Sequence, residues 1–195
     1  MDFEKLKKDI IEILRRGLDD YLVYHSLDHT LDVLDAVIRL GEMEGVNGHE
    51  LTILKTAALF HDAGFINKYE GHEEESALMV REMLPQYGYS SADVDAICDM
   101  IMATQVPQQP GNLLEKILAD ADLDYLGRDD LFLISQRLHY ELRKLNKVSS
   151  LREWHEKQLD FLKEHSYFTS SAQKLRKKGK KDNIRELENL LCRKN

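Results

Sequence analysis

The chain has 195 residues, 43% of them hydrophobic and 32% charged, which predicts one soluble domain with a substantial core and little disorder over residues 1–195. Its formal net charge of -8 argues against broad binding to nucleic acid, because that mode needs many lysines and arginines facing phosphates. Small ligands are therefore the expected partners. No apolar stretch approaches the roughly 18 residues that suggest a membrane span.

Apolar residues recur at helical spacing along almost the whole chain, and no sustained alternation indicates a strand. The sequence therefore predicts an all-α, single-domain helical bundle, with a core over about residues 24–130 and C-terminal helices over about 131–192 packed on it. Gly88 and Ser90 mark one break, with Ser90 as an N-cap candidate. Helices are expected near residues 3–22, 26–44, 49–63, 71–86, 91–104, 113–126, 129–146, 151–165 and 182–192.

The first predicted helix begins in an amphipathic segment that has no signal-peptide pattern, so we expect a cytoplasmic protein. The two cysteines, Cys98 and Cys192, lie far apart and form no C-x-x-C motif. Neither a disulfide framework nor a thiolate zinc site is therefore expected, and reduced thiols fit best.

The second predicted helix carries a histidine on its apolar face. His29 lines up at helical spacing with Val33, Ala36 and Leu40, so it is expected to point inward. His25 lies one turn earlier, near the same face, and both rings can border one cavity. A single inward histidine is more often a core residue than a ligand, so this position alone leaves both interpretations open.

The third predicted helix ends in the doublet His61-Asp62, directly after the apolar run Leu51–Phe60. A carboxylate in such surroundings is costly unless it is paired or bound to a metal, because desolvation disfavours its charge. The alternative is a buried Asp62 that caps the next turn. Gly64 then allows the chain to leave the helix sharply.

The sixth predicted helix ends in an acidic segment. Asp122 lines up with Leu118 on the apolar face, whereas Asp120 shares a face with Asp124, so Asp122 is expected to be the inward acid. Three separate segments thus each present an inward polar residue of a type that binds metal. A mixed nitrogen and oxygen pocket of this kind suits a hard or borderline divalent cation.

These segments resemble the HD-domain superfamily of metal-dependent phosphohydrolases, whose signature is a histidine, a His-Asp doublet and a distant aspartate on successive helices. The resemblance implies a helical bundle, hydrolysis of a phosphate ester or anhydride, and one divalent metal (Mn, Fe, Mg, Co, Ni or Zn) held by His29, His61, Asp62 and Asp122. The stretches that resemble the superfamily signature are Tyr24–Thr30, Ala57–Gly64 and Asp120–Leu123. Three further stretches are similar to the bacterial group of predicted metal-dependent HD phosphohydrolases, namely Glu73–Ala77, Ile101–Thr104 and Asn183–Glu186.

A second metal is less expected from the same resemblance. HD proteins with two metals usually add two histidines between the doublet and the last aspartate, and here only His72 is available, with Thr104–Pro107 where the other would stand. His72 is therefore a second-site ligand, a substrate contact or a structural cap. The lack of ligands also disfavours a dinuclear iron oxygenase.

The expected chemistry is attack by metal-activated water, because the charge of a bound cation lowers the pKa of that water. Asp62 is expected also to orient the water. Glu73 faces inward at the start of the fourth predicted helix, so Glu73 or Glu74 is the candidate general acid or base. The alternative is a solvated acidic helix start, which is favourable near a helix N-terminus.

The negative charge of a small phosphorylated substrate needs positive counterparts, and the candidates are His25, Lys68 and Arg137. The expected substrate is a nucleotide or a similar small phosphate compound, and a homo-oligomer is compatible with the sequence. The rival function is a metal-stabilised nucleotide-binding or sensor module that hydrolyses nothing.

A basic run, Lys174–Lys181, precedes the last predicted helix. Charge runs are usually exposed, so the favoured interpretation is a solvated linker. The alternatives are contact with a phosphate, with an anionic surface or with the acidic body of the protein itself.

Overall fold

The computed structural model describes residues 1–192, and every regular element among them is helical. The all-α prediction is confirmed. The α-helices are α1 Phe3–Gly17, α2 Leu27–Met43, α3 Gly48–Phe60, α4 His72–Met83, α5 Ser91–Met102, α6 Leu113–Asp122, α7 Leu131–Lys144, α8 Leu151–Glu164 and α9 Ser170–Cys192. Three short 3₁₀ turns, Ala63–Ile66, Leu84–Tyr87 and Asp124–Gly127, follow α3, α4 and α6.

Two of the helices begin in reciprocal capping boxes. The Ser90 hydroxyl accepts the backbone N–H of Asp93, and the Asp93 carboxylate accepts the backbone N–H of Ser90, at the start of α5. Asn112 and Glu115 form the same arrangement at the start of α6. Each box satisfies two backbone donors that a helix start would otherwise leave unpaired. The prediction of Ser90 as an N-cap is confirmed.

The helix α3 lies in the middle of the bundle, packed against α1, α2, α5 and α6. Its last turns are buried all round, and Leu54, Leu59 and Phe60 are fully inaccessible to solvent. Burying one such side chain contributes about 1.5 to 3 kcal/mol relative to leaving it exposed. The residues that follow α3 are therefore attached to a helix end that is buried in the core.

A second cluster of apolar side chains joins the C-terminal helices to the 3₁₀ turn after α6. Leu126 of that turn packs with Leu131 of α7, Leu162 of α8 and Leu187 of α9. The C-terminal helices thus share one apolar interior with the segment that follows Asp122. Within residues 1–192, no helix combines the length and the apolar character needed to cross a bilayer.

The first helix is shorter than predicted. It ends at Gly17 rather than near residue 22, because Leu18 has an extended backbone. Leu22 and Tyr24, beyond this turn, are buried in the interior. Docking of these two side chains against the rest of the bundle overrides the local helical periodicity.

The last helix is longer than predicted, and the interpretation of the basic run as a linker is wrong. The helix α9 begins at Ser170 and includes Lys174–Lys181 without interruption. Gly179 lies against the backbone of Gly127, so close that a Cβ at either position would overlap the neighbouring backbone. This contact keeps a residue of low helix propensity inside a helix, because tertiary packing outweighs propensity.

The expectation that Asp122 is the inward acid of this segment is also wrong, since Asp120 of α6 and Asp124 of the following turn are more deeply buried than Asp122. Asp120 accepts the backbone N–H groups of Phe168 and Thr169, each at 2.8 Å, just before α9. Periodicity along α6 does not predict the burial of Asp120, because the segment that covers this face of the helix lies far away in the sequence.

Asp124 is buried at the other side of the same segment. Arg176 of α9 donates two hydrogen bonds of 2.7 Å to its carboxylate, and Arg39 of α2 donates one of 2.8 Å. The basic run therefore contributes one side chain to the acidic body of the protein. Removing one partner of such a buried pair leaves an uncompensated charge, so this contact holds α9 in place.

Candidate metal centre

The doublet is positioned by the end of α3. His61 follows Phe60 and is fully buried, and its Nδ1 atom lies 2.8 Å from the carbonyl oxygen of Ala58. A carbonyl only accepts hydrogen bonds, so Nδ1 carries a proton and Nε2 faces the centre, where it offers a lone pair to a metal when the ring is neutral. The hydroxyl of Ser76 donates to the His61 carbonyl at 2.9 Å and ties α4 to the doublet.

Four side chains from three segments meet at this point. The Nε2 atoms of His29 and His61 lie 3.3 Å apart. Asp122 Oδ1 lies 3.2 Å from His29 Nε2 and 3.6 Å from His61 Nε2. Asp62 Oδ2 lies 3.5 Å and 3.3 Å from the same two nitrogens. Neighbouring ligand atoms around one cation with bonds of about 2.1 Å are separated by about 3.0 to 3.4 Å. The donor atoms of His29, His61 and Asp122 all lie within 4.8 Å of one another and therefore fit a common ion, whereas Asp62 Oδ2 approaches the two histidine nitrogens but lies outside this group.

The oxygen Asp62 Oδ2 has an unusual environment for a carboxylate. It is buried, and among residues 1–192 no hydrogen-bond donor serves it. Buried polar atoms in native proteins almost always have a partner, so an orphaned carboxylate oxygen aimed at two imidazole nitrogens needs one. A divalent cation supplies that partner, and the mixed nitrogen and oxygen donor set suits it.

The neighbouring histidines keep both acids of the centre ionised. Burial opposes ionisation of Asp62, but the positive charge of protonated His61 in the metal-free protein and the proximity of His72 outweigh it and hold the Asp62 pKa well below its ordinary value. Burial likewise opposes ionisation of Asp122, and the neighbouring His29 and His61 rings lower its pKa to about 2. Both acids are therefore carboxylates at neutral pH, the form that binds a cation.

His72, at the start of α4, borders the same centre. Its Nε2 atom lies 3.4 Å from Asp62 Oδ1, whereas the other two histidines approach Asp62 Oδ2. Its Nδ1 atom lies 3.2 Å from the carbonyl oxygen of Tyr69. The ring also stacks on Phe65 at 3.9 Å. The structure thus places His72 beside the cluster as a neighbour of Asp62, and its role as a second-site ligand stays a prediction.

The centre opens into a cavity of about 350 Å³. Its lining includes the polar side chains of Asp62, His72, Glu73 and Asp122. It also includes apolar and aromatic side chains, among them Leu138 of α7 with Trp154 and Phe161 of α8. Cavities of this size, apolar with a few convergent polar groups, are typical of small-molecule sites.

His25 lines this cavity and is held there by a buried acid of α7. The Nδ1 atom of His25 lies 2.7 Å from Glu141 Oε2, and Glu141 Oε1 accepts the backbone N–H groups of Tyr24 and His25. Glu141 is fully buried, and the His25 ring stacks on Phe65 at 4.1 Å. Sequence reasoning missed Glu141, although its position in line with Leu138 on the inward face of α7 was a usable signal.

Only one of the two candidate acids of α4 lies at the cavity. Glu73 is buried and lines the cavity, with its Oε2 atom 3.5 Å from His72 Nδ1. Glu74 is exposed and does not line the cavity. The structure thus brings only Glu73 of this pair to the centre.

The other predicted substrate contacts lie outside this cavity. Lys68 pairs with Glu75 at 3.0 Å, and its side chain is half exposed. Arg137 lines a neighbouring cavity of about 290 Å³, which His29 also borders. The sequence does not show the aromatic lining either, because the helical intervals of Trp154 and Phe161 are equally typical of residues that only pack in the core.

Comparisons with known proteins agree with this architecture. Residues 26–124, a little over half of the chain, match the HD domain family. A comparison with curated proteins finds no significant match. The fold is similar to that of a predicted HD superfamily hydrolase from an uncultured Thermotogales bacterium, with 22% sequence identity and a TM-score of 0.65 over 94% of this chain and 90% of that one.

Two further solved structures share the fold. Bacillus subtilis YpgQ, solved in complex with ADP, is 19% identical with a TM-score of 0.68, covering 97% of this chain and 95% of YpgQ. A Lactobacillus plantarum protein is 16% identical with a TM-score of 0.70, covering 97% of each chain. Together with the sequence match, these likenesses place the chain in the HD domain family, which is a family of metal-dependent hydrolases.

Proposed function

We propose that this protein is a metal-dependent phosphohydrolase that cleaves a phosphate ester or anhydride of a nucleotide or a similar small phosphate compound. One observation carries the proposal: the donor atoms of His29, His61 and Asp122 lie within 4.8 Å of one another, beside the orphaned Oδ2 atom of Asp62. This cluster borders a cavity large enough for a small ligand.

His29, His61, Asp62 and Asp122 would hold the cation, and a divalent ion bound there lowers the pKa of its bound water and polarises a phosphoryl oxygen. The protein orients the donor atoms before a metal binds. The hydrogen bond from His61 Nδ1 to the Ala58 carbonyl keeps the Nε2 lone pair directed at the centre. Such outer contacts fix ligand orientation and reduce the rearrangement that binding requires.

Glu73 is the residue placed to move a proton. It lies in the first turn of α4, buried in the cavity wall, and faces the same space as Asp62 and Asp122. In this role its carboxylate accepts the proton of the attacking water or returns one to the leaving group. Burial in the cavity wall excludes bulk water from this exchange.

A nucleotide fits the mixed polar and aromatic lining of the cavity. Trp154 and Phe161 offer flat apolar surfaces on which a base can pack, in the same cavity as the acidic and histidine side chains. His25, fixed by Glu141, presents an imidazole toward the phosphate. The complex of the structurally similar YpgQ with ADP supports the same ligand class.

Metal-stimulated release of phosphate from nucleotides is the expected result for the purified protein. Metal-free protein is supplied in turn with Mn, Co, Ni, Fe, Zn and Mg and assayed against nucleoside mono-, di- and triphosphates and a generic phosphodiester. Turnover with at least one combination of metal and substrate, and its loss when a chelator is added, supports the proposal. Uniform inactivity would contradict it, and thermal stabilisation by nucleotides without turnover would instead favour a binding module.

The Glu73→Gln variant is expected to lower kcat by about 10² to 10⁴-fold, because it removes the proton-transfer group while keeping its size. Metal content, measured by elemental analysis, is expected to stay at the wild-type level. Glu74→Gln is the matched control, since it removes the same charge one residue away on the exposed side of α4. Equal activity of the two variants would remove Glu73 from the mechanism.

A further inference from the structure

A second concave site lies between α8, α9 and the segment that joins them, away from the metal centre. This cavity has a volume of about 370 Å³ and shares no lining residue with the cavity of the metal centre. Its lining is basic, and among the residues that the structure describes no carboxylate contributes to it. The lysines that line it are Lys163 of α8 and Lys177, Lys180 and Lys181 of α9.

The lysines of this basic cavity differ in how well their charge is neutralised. Lys163 pairs with Glu188 at 2.8 Å. Lys177 and Lys181 have no carboxylate within 4.0 Å in the part of the chain from residue 1 to residue 192. Two ammonium groups on one side of a cavity repel each other, so an anion placed between them lowers the energy of the site.

Lys180 and His165 show that the basic cavity also contains desolvated polar groups. Lys180 is half buried and donates a hydrogen bond to the carbonyl oxygen of His165 but forms no ion pair among the described residues. Burial lowers the pKa of Lys180, as expected for a cation that lacks a nearby negative charge. The ring nitrogens of His165 are buried and have no hydrogen-bond partner within residues 1–192.

The basic run of α9 ends beside this cavity. The sequence of α9 becomes acidic directly after Lys181, with Asp182, Glu186 and Glu188, and the whole chain has a net charge of -8. An extended polyanion such as nucleic acid needs a long basic track, and a membrane needs a flat one. A short, concave and locally basic site suits a compact anion with several charges.

We propose that the basic cavity between α8 and α9 binds a small phosphorylated molecule that carries at least two phosphate charges. Lys177 and Lys181 contact the phosphate oxygens directly, and Lys180 supplies further positive charge from the inner wall. This assignment is independent of the hydrolytic function, because the two cavities have separate linings.

The test measures binding of inorganic pyrophosphate to the full-length, metal-free protein by isothermal titration calorimetry at two ionic strengths. Saturable binding at one site, weakened by added salt, is expected. The double variant Lys177→Ala/Lys181→Ala is expected to weaken binding by at least about tenfold, because each lysine makes a charge-assisted contact. The Asp62→Asn variant is expected to bind as the wild type does.

The matched control is Lys174→Ala/Lys178→Ala, which removes the same charge from the same run of α9. Both of these lysines are exposed, and neither lines the basic cavity. Wild-type affinity in this control, with normal thermal unfolding of both double variants, supports the proposal. Equal weakening in both pairs would show diffuse attraction to the helix and overturn it, as would the absence of saturable binding.

Discussion

The Asp62→Asn variant is expected to lose its bound divalent metal and its phosphohydrolase activity together, with a fall in kcat/KM of at least about 10² to 10³-fold. The substitution keeps the size of the side chain but replaces a buried carboxylate, which contacts both ligand-type histidines, by a neutral amide. An amide nitrogen or oxygen does not neutralise a cation, so the affinity of the centre for the metal falls. Elemental analysis and steady-state kinetics on the same preparation measure the two losses.

The control for this variant is Asp35→Asn, an exposed position on α2 without an ion pair in the described structure. It removes one carboxylate from the protein and is expected to retain metal and activity. Thermal unfolding of the metal-free proteins shows whether Asp62→Asn still folds. A folded Asp62→Asn variant with wild-type metal content and turnover would exclude the proposed centre.

A second large effect is expected from Gly64→Ala, which acts on the stability of the fold around the centre. A Cβ at Gly64 would overlap the carbonyl oxygen of His72 and would lie 2.8 Å from the Cβ of Glu75. The backbone of α4 must therefore move away from the turn that follows the doublet. We expect a loss of about 3 kcal/mol in the free energy of unfolding and a fall of about 6 to 12 °C in Tm.

The same displacement changes the metal centre, because Ser76 of α4 hydrogen-bonds both the Gly64 N–H and the His61 carbonyl. Metal affinity is therefore expected to fall along with stability. Gly111→Ala is the control, since a Cβ there meets only the carboxylate end of the Glu115 side chain, which is flexible. A Gly64→Ala protein as stable as this control would show that the close approach is not needed.

Sequence periodicity identified the polar residues that face the centre because each signal is local. His29 shares a stripe with apolar residues of α2, and His61-Asp62 ends the most apolar helix of the chain. A buried carboxylate without a partner is costly, so its presence in such a segment already points to a ligand or a charge pair. The structure brings the Nε2 atoms of His29 and His61 to 3.2 and 3.6 Å from Asp122 Oδ1, and the role of these side chains as ligands stays a prediction.

Other groups were not accessible to this reasoning because their partners are distant along the chain. Asp120 holds the segment before α9, and Glu141 holds His25, at separations of 48 and 116 residues. Nothing in the neighbourhood of either acid in the sequence shows which donors will reach it. The interpretation of Asp120 as an outward residue failed for this reason, and Glu141 was missed.

The sequence by itself determined the all-α class, the break before Ser90 and the inward position of His29 and of the doublet His61-Asp62, because helical spacing repeats every few residues and is independent of the rest of the chain. Only the tertiary structure decided the length of α9, the aromatic wall formed by Trp154 and Phe161, and the grouping of Lys177 and Lys181 in one cavity. These features arise where α8 and α9 pack against other elements. Packing of distant segments depends on shape and charge in three dimensions, which local periodicity does not encode.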